Sequence, residues 1–127
     1  TQVSIKKLLI SLIFVIIFNL FNPSSNAMTK AQLKELARQY IGNEYQYQCY
    51  DWLITKESNW RPNAKNGSHY GIGQMRNIKV LKLTPEMQLQ WHLKYIGARY
   101  GYVIMDGRMV FNICGGAYRH FMKKGWH

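Results

Sequence analysis

The sequence predicts a small, mainly α domain preceded by a hydrophobic leader. Apolar residues recur at helical spacing in three stretches, residues that favour helix N-termini precede some of them, and glycines end two of them. The part of the chain from Met28 to His127 is long enough to bury one modest core. One segment, residues 102 to 114, leaves room for a single short β-hairpin.

Residues 1 to 27 have the pattern of a secretory leader. Lys6 and Lys7 precede an apolar run, and small residues follow up to Ala27. The run is short for crossing a bilayer, so cleavage after Ala27 is expected, and an uncleaved signal anchor is the alternative. The remaining domain is therefore predicted to be secreted or to work in the cell wall or periplasm, and to meet a membrane only through an uncleaved leader.

The chain is strongly basic, with a formal charge of +11 at pH 7. Loss of Lys6 and Lys7 with the leader leaves +9. Such a surface predicts a polyanionic partner, and export argues against nucleic acid and for anionic wall polymers. A solvated basic surface without a specific partner explains the charge equally well. The domain is expected to be a monomer.

The first helix is predicted between Thr29 and Gly42. Thr29 and Gln32 fit a capping box, which satisfies free backbone N–H groups at a helix start. Apolar residues then keep helical spacing as far as Gly42, which suits a C-terminal cap.

The second helix is predicted over residues 46 to 58 and carries one acidic residue of interest. Five residues at helical spacing share one face: Cys49, Trp52, Leu53, Lys56 and Glu57. Glu57 therefore lies at the C-terminal end of a largely apolar face. The helix dipole is negative there and burial disfavours a charge, so both effects favour the protonated carboxyl.

Residues 59 to 75 are predicted to form a loop because they are rich in Asn, Gly, Ser and Pro. Gly71 and Gly73 would let the backbone come close to a ligand. A third helix is predicted to begin after Thr84, with a proline at its first position, and to end at Gly101.

The C-terminal part of the sequence allows two arrangements before a final helix. Asp106 and Gly107 between alternating apolar residues fit a hairpin turn, but a helix–loop–helix arrangement fits equally well. A final short helix is predicted over residues 117 to 124, ending at Gly125.

Cys49 and Cys114 both follow the leader. In an oxidising compartment they could pair and close a loop of 65 residues, which would stabilise the fold by about 4 kcal/mol in the chain-entropy treatment. Two buried free thiols are the alternative.

Glu57 is the acidic residue that local structure explains least. Glu35 fits a helix surface, Glu86 a helix start and Asp106 a turn. No acid has a spacing that pairs it with Glu57 as in two-carboxylate glycosidases, although folding could bring Glu44 or another acid near it. The histidines and cysteines lack metal-ligand spacing, and the YGIG strip lacks the setting of a phosphate loop. Neither a metal nor a cofactor is predicted.

The segment LITKESNWRPNAKNGSHYGIGQM resembles the signature of soluble lytic transglycosylase domains, which belong to the lysozyme-like superfamily. The segments QLQWHLKYIGARYG and KKGWH are similar to the small C-terminal domains of aggregation-promoting factors and related phage and Gram-positive wall proteins. The resemblance covers most of residues 49 to 127. The residues that carry the first motif are Glu57, Ser58, Pro62, Ala64, Asn66, Gly67, Ser68, Tyr70, Gly71, Gly73, Gln74 and Met75.

The resemblance implies a small lysozyme-like fold that cleaves the β-1,4 bond between N-acetylmuramic acid and N-acetylglucosamine in peptidoglycan. Glu57 would be the catalytic acid and then the base, leaving a 1,6-anhydro end without using water. A hydrolytic muramidase on the same fold and a non-catalytic peptidoglycan-binding module are the alternatives. The resemblance also implies substrate-binding roles for Ser58, Tyr70, Gly71, Gln74, Met75 and Tyr118.

Three features depart from the resembling domains. Ile72 and Gly73 stand where those domains carry Leu-Met or Leu-Phe, which predicts a looser wall behind the acid. Residues 102 to 116 look like an insertion, and His127 replaces the aromatic residue that usually follows Gly-Trp. The tryptophans that follow the acid are expected in the core or in the cleft wall: Trp60, Trp91 and Trp126.

Overall fold

The structure, a computed structural model, describes residues 28 to 127, and the predicted leader lies outside this range. The described part is mainly helical, as predicted. A 3-10 helix, Ile78–Lys82, precedes the third α-helix, and a π-helical stretch, Ile113–Tyr118, runs directly into the fourth. The α-helices of the described part are α1 (Lys30–Ile41), α2 (Glu44–Glu57), α3 (Pro85–Tyr100) and α4 (Arg119–Lys124). None of these helices is both long and apolar enough to cross a membrane.

Two antiparallel hairpins complete the described part of the chain. The first joins β1 (Lys65–Asn66) to β2 (His69–Tyr70), and the second joins β3 (Tyr102–Met105) to β4 (Arg108–Phe111). The second hairpin settles the alternatives left open for residues 102 to 114.

The turn of that hairpin follows from its two central residues. Asp106 and Gly107 have φ values of 52° and 73°, the left-handed conformation that a two-residue hairpin turn needs at both positions. Met105 pairs with Arg108 on either side of the turn, and Tyr102 pairs with Phe111 at the far end.

The caps of α1 and α3 agree with the sequence prediction. Thr29 and Gln32 form a complete capping box, and Gly42 ends α1 with a left-handed backbone. Thr84 caps α3 by accepting a hydrogen bond from the N–H of Met87.

The predicted start of α2 was two residues too late. Asn43 caps this helix, because its side chain accepts a hydrogen bond of 3.0 Å from the N–H of Gln46. Glu44 therefore lies in the first turn, where a negative charge is favourable.

The buried face of α2 also differs from the predicted face. Tyr50, Leu53 and Ile54 are completely buried, whereas Lys56 is exposed and places its Nζ 5.6 Å from the ring centre of Trp52. Glu57 follows Leu53 and Ile54 at i+4 and i+3, so it does lie at the end of the buried face.

The core forms where α1, α2 and α3 meet the stretch Ile113–Tyr118. Cys49 and Cys114 are joined by a disulfide, which ties α2 to that stretch. The final helix begins two residues later than predicted, at Arg119, because the residues before it are wound more loosely. Its cap at Gly125, with φ 77°, is as predicted.

Candidate active site

A cavity of about 720 Å³ opens beside the C-terminal end of α2. One wall is the loop from Gly73 to Asn77 and the other combines α3 with the end of the chain. The residues that line the cavity are Glu57, His69, Gly73, Gln74, Met75, Arg76, Asn77, Tyr95, Arg99, Trp126 and His127.

Glu57 is the last residue of α2, and its side chain is 13 % exposed. Among residues 28 to 127, it is the only carboxylate that lines this cavity. Its Oε1 lies 3.7 Å from Nδ1 of His127, whose side chain is only 4 % exposed. A single, largely buried carboxyl that faces a cavity is suited to donating a proton to a bound molecule and taking one back.

The chain turns sharply after Glu57. Asn59 and Trp60 both adopt positive φ values, 52° and 63°, which is costly for a residue as bulky as tryptophan. Trp60 is held there because its ring is buried edge-on against Tyr50 and its Nε1 donates to Asp51 Oδ1 at 3.0 Å. This turn sends the following loop back across the end of α2.

Ser58 is hydrogen-bonded to the loop. Its hydroxyl donates to the carbonyl of Ile72 at 2.6 Å, and the residue is 2 % exposed. The predicted role of Ser58 in holding the acid or the sugar therefore has no support in the geometry. Ser58 instead anchors the part of the loop at Ile72, which lies behind Glu57.

Gln74 lines the cavity, but its amide points into the loop. Its Nε2 donates to the carbonyl of Gly71 at 2.9 Å, and its Oε1 accepts from Asn66 at 2.8 Å. The residue is 7 % exposed and has a left-handed φ of 51°. Its polar atoms are thus occupied in shaping the loop, so the expected hydrogen bonds to a sugar are not available from this conformation.

The remaining predicted binding residues separate into two groups. Met75 lines the cavity, whereas Tyr70, Gly71 and Tyr118 do not. A Cβ at Gly71 would overlap side-chain atoms of Val80 and Gln88, so this glycine serves close packing and not the approach of a ligand. Tyr118 packs edge-on against Trp52, with ring centres 5.1 Å apart.

Gly73 does not loosen the wall behind the acid, contrary to the sequence prediction. The ring of His92 fills the space that a side chain at position 73 would occupy, and a Cβ there would overlap that ring. His92 is completely buried. A glycine on the loop and an imidazole on α3 thus form one packed unit.

The cationic and aromatic side of the cavity was not predicted. Arg76, Tyr95 and Arg99 line it, and Arg99 donates to the Tyr95 hydroxyl at 3.0 Å. Trp126 was expected in the core or cleft wall; it is 51 % exposed and lies under the Arg99 guanidinium. These residues come from parts of the chain far from Glu57, so no local motif could indicate that they would meet it.

Burial controls the protonation of the groups behind Glu57. Desolvation, together with the neighbouring His127, lowers the pKa of His92 well below its usual value. Desolvation raises the pKa of the Tyr50 hydroxyl, which lies 2.8 Å from Nδ1 of His92. Both groups are therefore neutral at physiological pH.

Comparison with protein-family models, with curated proteins and with solved structures gave no match to this chain. The resemblance to lytic transglycosylases therefore rests on the sequence segments that carry it.

Proposed function

We propose that the chain is a peptidoglycan-cleaving enzyme of the lytic transglycosylase type, with Glu57 as its single acid and base. The observation that carries this proposal is the placement of Glu57, a largely buried carboxyl on the wall of a cavity whose described lining residues include no second carboxylate. A transglycosylase needs one such group, whereas most glycosidases need two. The resemblance of residues 53 to 75 to the transglycosylase signature supplies the substrate class.

In this reaction Glu57 first donates its proton to the glycosidic oxygen, and the bond from C1 of the muramic acid to that oxygen breaks. The substrate's own N-acetyl group stabilises the positive charge at C1, which takes the place of a second carboxylate. The ionised Glu57 then accepts the proton of the C6 hydroxyl while the C6 oxygen bonds to C1. The carboxyl is restored, and the product carries a 1,6-anhydro ring.

The cavity wall suits an anionic sugar. Arg76 and Arg99 are the two cations of the wall that are charged at any physiological pH, and Trp126 offers an exposed aromatic surface beside them. The peptides attached to muramic acid carry carboxylates, as does muramic acid without a peptide, so these arginines would favour the substrate. The charge of +9 on residues 28 to 127 (17 − 2 − 6) would also draw the domain to anionic wall polymers.

The proposal is tested by incubating the protein with purified peptidoglycan and identifying the released fragments by mass spectrometry. The wild type is expected to release anhydro-muropeptides, and Glu57→Gln should lower that rate by about 10²- to 10⁴-fold because general acid–base catalysis is lost. Glu44→Gln is the matched control, since Glu44 lies exposed at the other end of α2.

Two other outcomes would replace the proposal. Fragments with reducing ends would make the protein a hydrolytic muramidase. Binding to the wall without release of fragments, in both the wild type and Glu57→Gln, would make it a binding module and overturn the enzyme proposal.

A further inference from the structure

We propose that Tyr50, His92 and His127 form a hydrogen-bonded relay that holds His127 against Glu57, with His127 as the positioning residue of that carboxyl. The catalytic meaning of the relay rests on the proposed function. Its existence does not, because the positions of its protons can be measured without any substrate.

The relay follows from three consecutive contacts. The Tyr50 hydroxyl lies 2.8 Å from His92 Nδ1, and His92 Nε2 lies 2.6 Å from His127 Nε2. His127 Nδ1 then faces Glu57 Oε1 at 3.7 Å. The first two separations are hydrogen-bond distances, and the third is that of a longer polar contact.

The distance between the two imidazoles restricts their protons. One of the two Nε2 atoms has to carry a hydrogen and the other has to be bare, because a neutral ring has one donor and one acceptor nitrogen. A charged His92 is disfavoured because the residue is completely buried. The relay therefore runs in one of two directions.

In the first direction every proton points toward Glu57. The Tyr50 hydroxyl donates to His92, His92 donates from Nε2 to His127, and His127 presents an Nδ1–H to the Glu57 carboxylate. In the reverse direction the Tyr50 hydroxyl hydrogen would lie in the core, where the described residues offer it no other acceptor. A buried unsatisfied donor is costly, so the first direction is favoured.

Packing holds the relay in place. Gly73 leaves the room that the His92 ring fills, so His92 cannot turn away without opening a void in the wall. The Tyr95 hydroxyl donates to the backbone carbonyl of His127 at 3.1 Å, which fixes the residue from α3. The ring of His127 lies edge-on to His92, with centres 4.9 Å apart.

Charged and titratable groups from three helices surround His127. Glu57 of α2 faces one ring nitrogen and His92 of α3 faces the other. Tyr95 and Arg99 of α3 lie on the same cavity wall, and His120 of α4 is near enough to interact with His127 electrostatically. His69 and Arg76 line the cavity from the loop. Glu57 is the only anion in this set, so an N–H of His127 is best directed at it.

The relay acts at the step in which Glu57 is ionised. An Nδ1–H directed at Oε1 stabilises the carboxylate that forms when Glu57 gives up its proton, and it leaves Oε2 for the C6 hydroxyl.

The first test measures the tautomers of the two histidines by long-range ¹H–¹⁵N correlation spectra of the ¹⁵N-labelled protein at neutral pH. We expect His92 to carry its proton on Nε2 and His127 on Nδ1, the less common tautomer of free histidine. A proton on Nε2 of His127, or a bare Nε2 on His92, would overturn the relay. This result needs no variant and therefore no assumption about folding.

Two variants test the coupling along the relay. Tyr50→Phe removes only the donor at the buried end, and Glu57→Gln removes the charge at the other end. Both are expected to shift His127 toward the tautomer protonated on Nε2, whereas His69→Gln, an exposed residue across the cavity, should not. An unchanged His127 spectrum in both relay variants would contradict the proposal.

The tautomer spectra also separate positioning from a purely structural role. A merely structural effect of Tyr50→Phe would lower the rate of cleavage and leave the tautomer of His127 unchanged. If the tautomers are as expected but no peptidoglycan is cleaved, the proposed function fails and the relay stands. Cleavage with the opposite tautomers would support the proposed function and overturn the relay.

Discussion

His92 is an imidazole that has to remain neutral inside the protein. It is completely buried, and desolvation followed by the effect of His127 lowers its pKa well below 6.5 in the folded state. In the unfolded chain the same side chain takes up a proton as the pH falls below about 6.5. The unfolded state then binds more protons than the folded state, so acid favours unfolding.

We therefore expect the free energy of unfolding to fall below about pH 6.5, by up to about 1.4 kcal/mol per pH unit from this residue. His92→Gln should flatten the decline, and His69→Gln, at an exposed histidine, should leave it unchanged. Urea denaturation between pH 4.5 and 8 measures the slope. An equal slope in His92→Gln and the wild type would show that other groups cause the acid sensitivity.

The sequence allowed the position of Glu57 to be predicted but not its partner. A carboxyl at the end of an apolar helical face is a local pattern, and residues of one helix reveal it. His127 lies 70 positions further along the chain, and its approach depends on how α4 and α3 pack. The hydrogen-bond partners of Ser58 and Gln74 could not be predicted for a related reason. Their backbone partners were unknown until the loop was folded.

Gln46 is the polar side chain that positions the π-helical stretch against α2. Its Oε1 accepts from the N–H groups of both Ile113 and Cys114 at 2.8 Å, and the residue is 3 % exposed. These two donors lie at the start of Ile113–Tyr118, where a helix leaves its N–H groups unpaired. A side chain on a different helix thus takes the place of a local cap.

Gln46→Met is expected to destabilise the fold by about 2–4 kcal/mol, because it keeps the shape of the side chain and leaves two N–H groups without an acceptor. Gln48→Met is the matched control, since Gln48 is exposed on the same helix and should cost little. Thermal or denaturant unfolding followed by circular dichroism compares the two. Similar losses of stability would mean that Gln46 does not hold the stretch.

The elements with local signals were those that the sequence predicted well. The boundaries of α1 and α3 follow from their own caps, which need no tertiary contact. Ile113–Tyr118 was missed because its geometry depends on Gln46 and on the close approach of Gly116 to Tyr100. The hairpin before it was left as one of two alternatives, because a short apolar alternation alone does not separate strand from helix.

At the scale of the molecule, the disulfide stabilises the fold at a place away from the candidate site. Cys49 and Cys114 close a loop of 65 residues that contains most of the described chain. Glu57 lies eight residues after Cys49 on the same helix, about 12 Å along its axis. The bond therefore restrains the whole domain without touching the cavity.

We expect Cys49→Ala/Cys114→Ala to lower the free energy of unfolding by about 2–4 kcal/mol, since the unfolded chain regains the freedom that the 65-residue loop loses. Guanidinium denaturation of the variant and of the wild type, with and without reductant, measures the loss. Reductant should destabilise the wild type by a similar amount and should leave the variant unchanged. Well below the unfolding midpoint, the variant should cleave peptidoglycan at close to the wild-type rate, because the relay and Glu57 are held by α2, α3 and the loop. A variant that stays folded by circular dichroism but loses cleavage would show that the disulfide also positions the site.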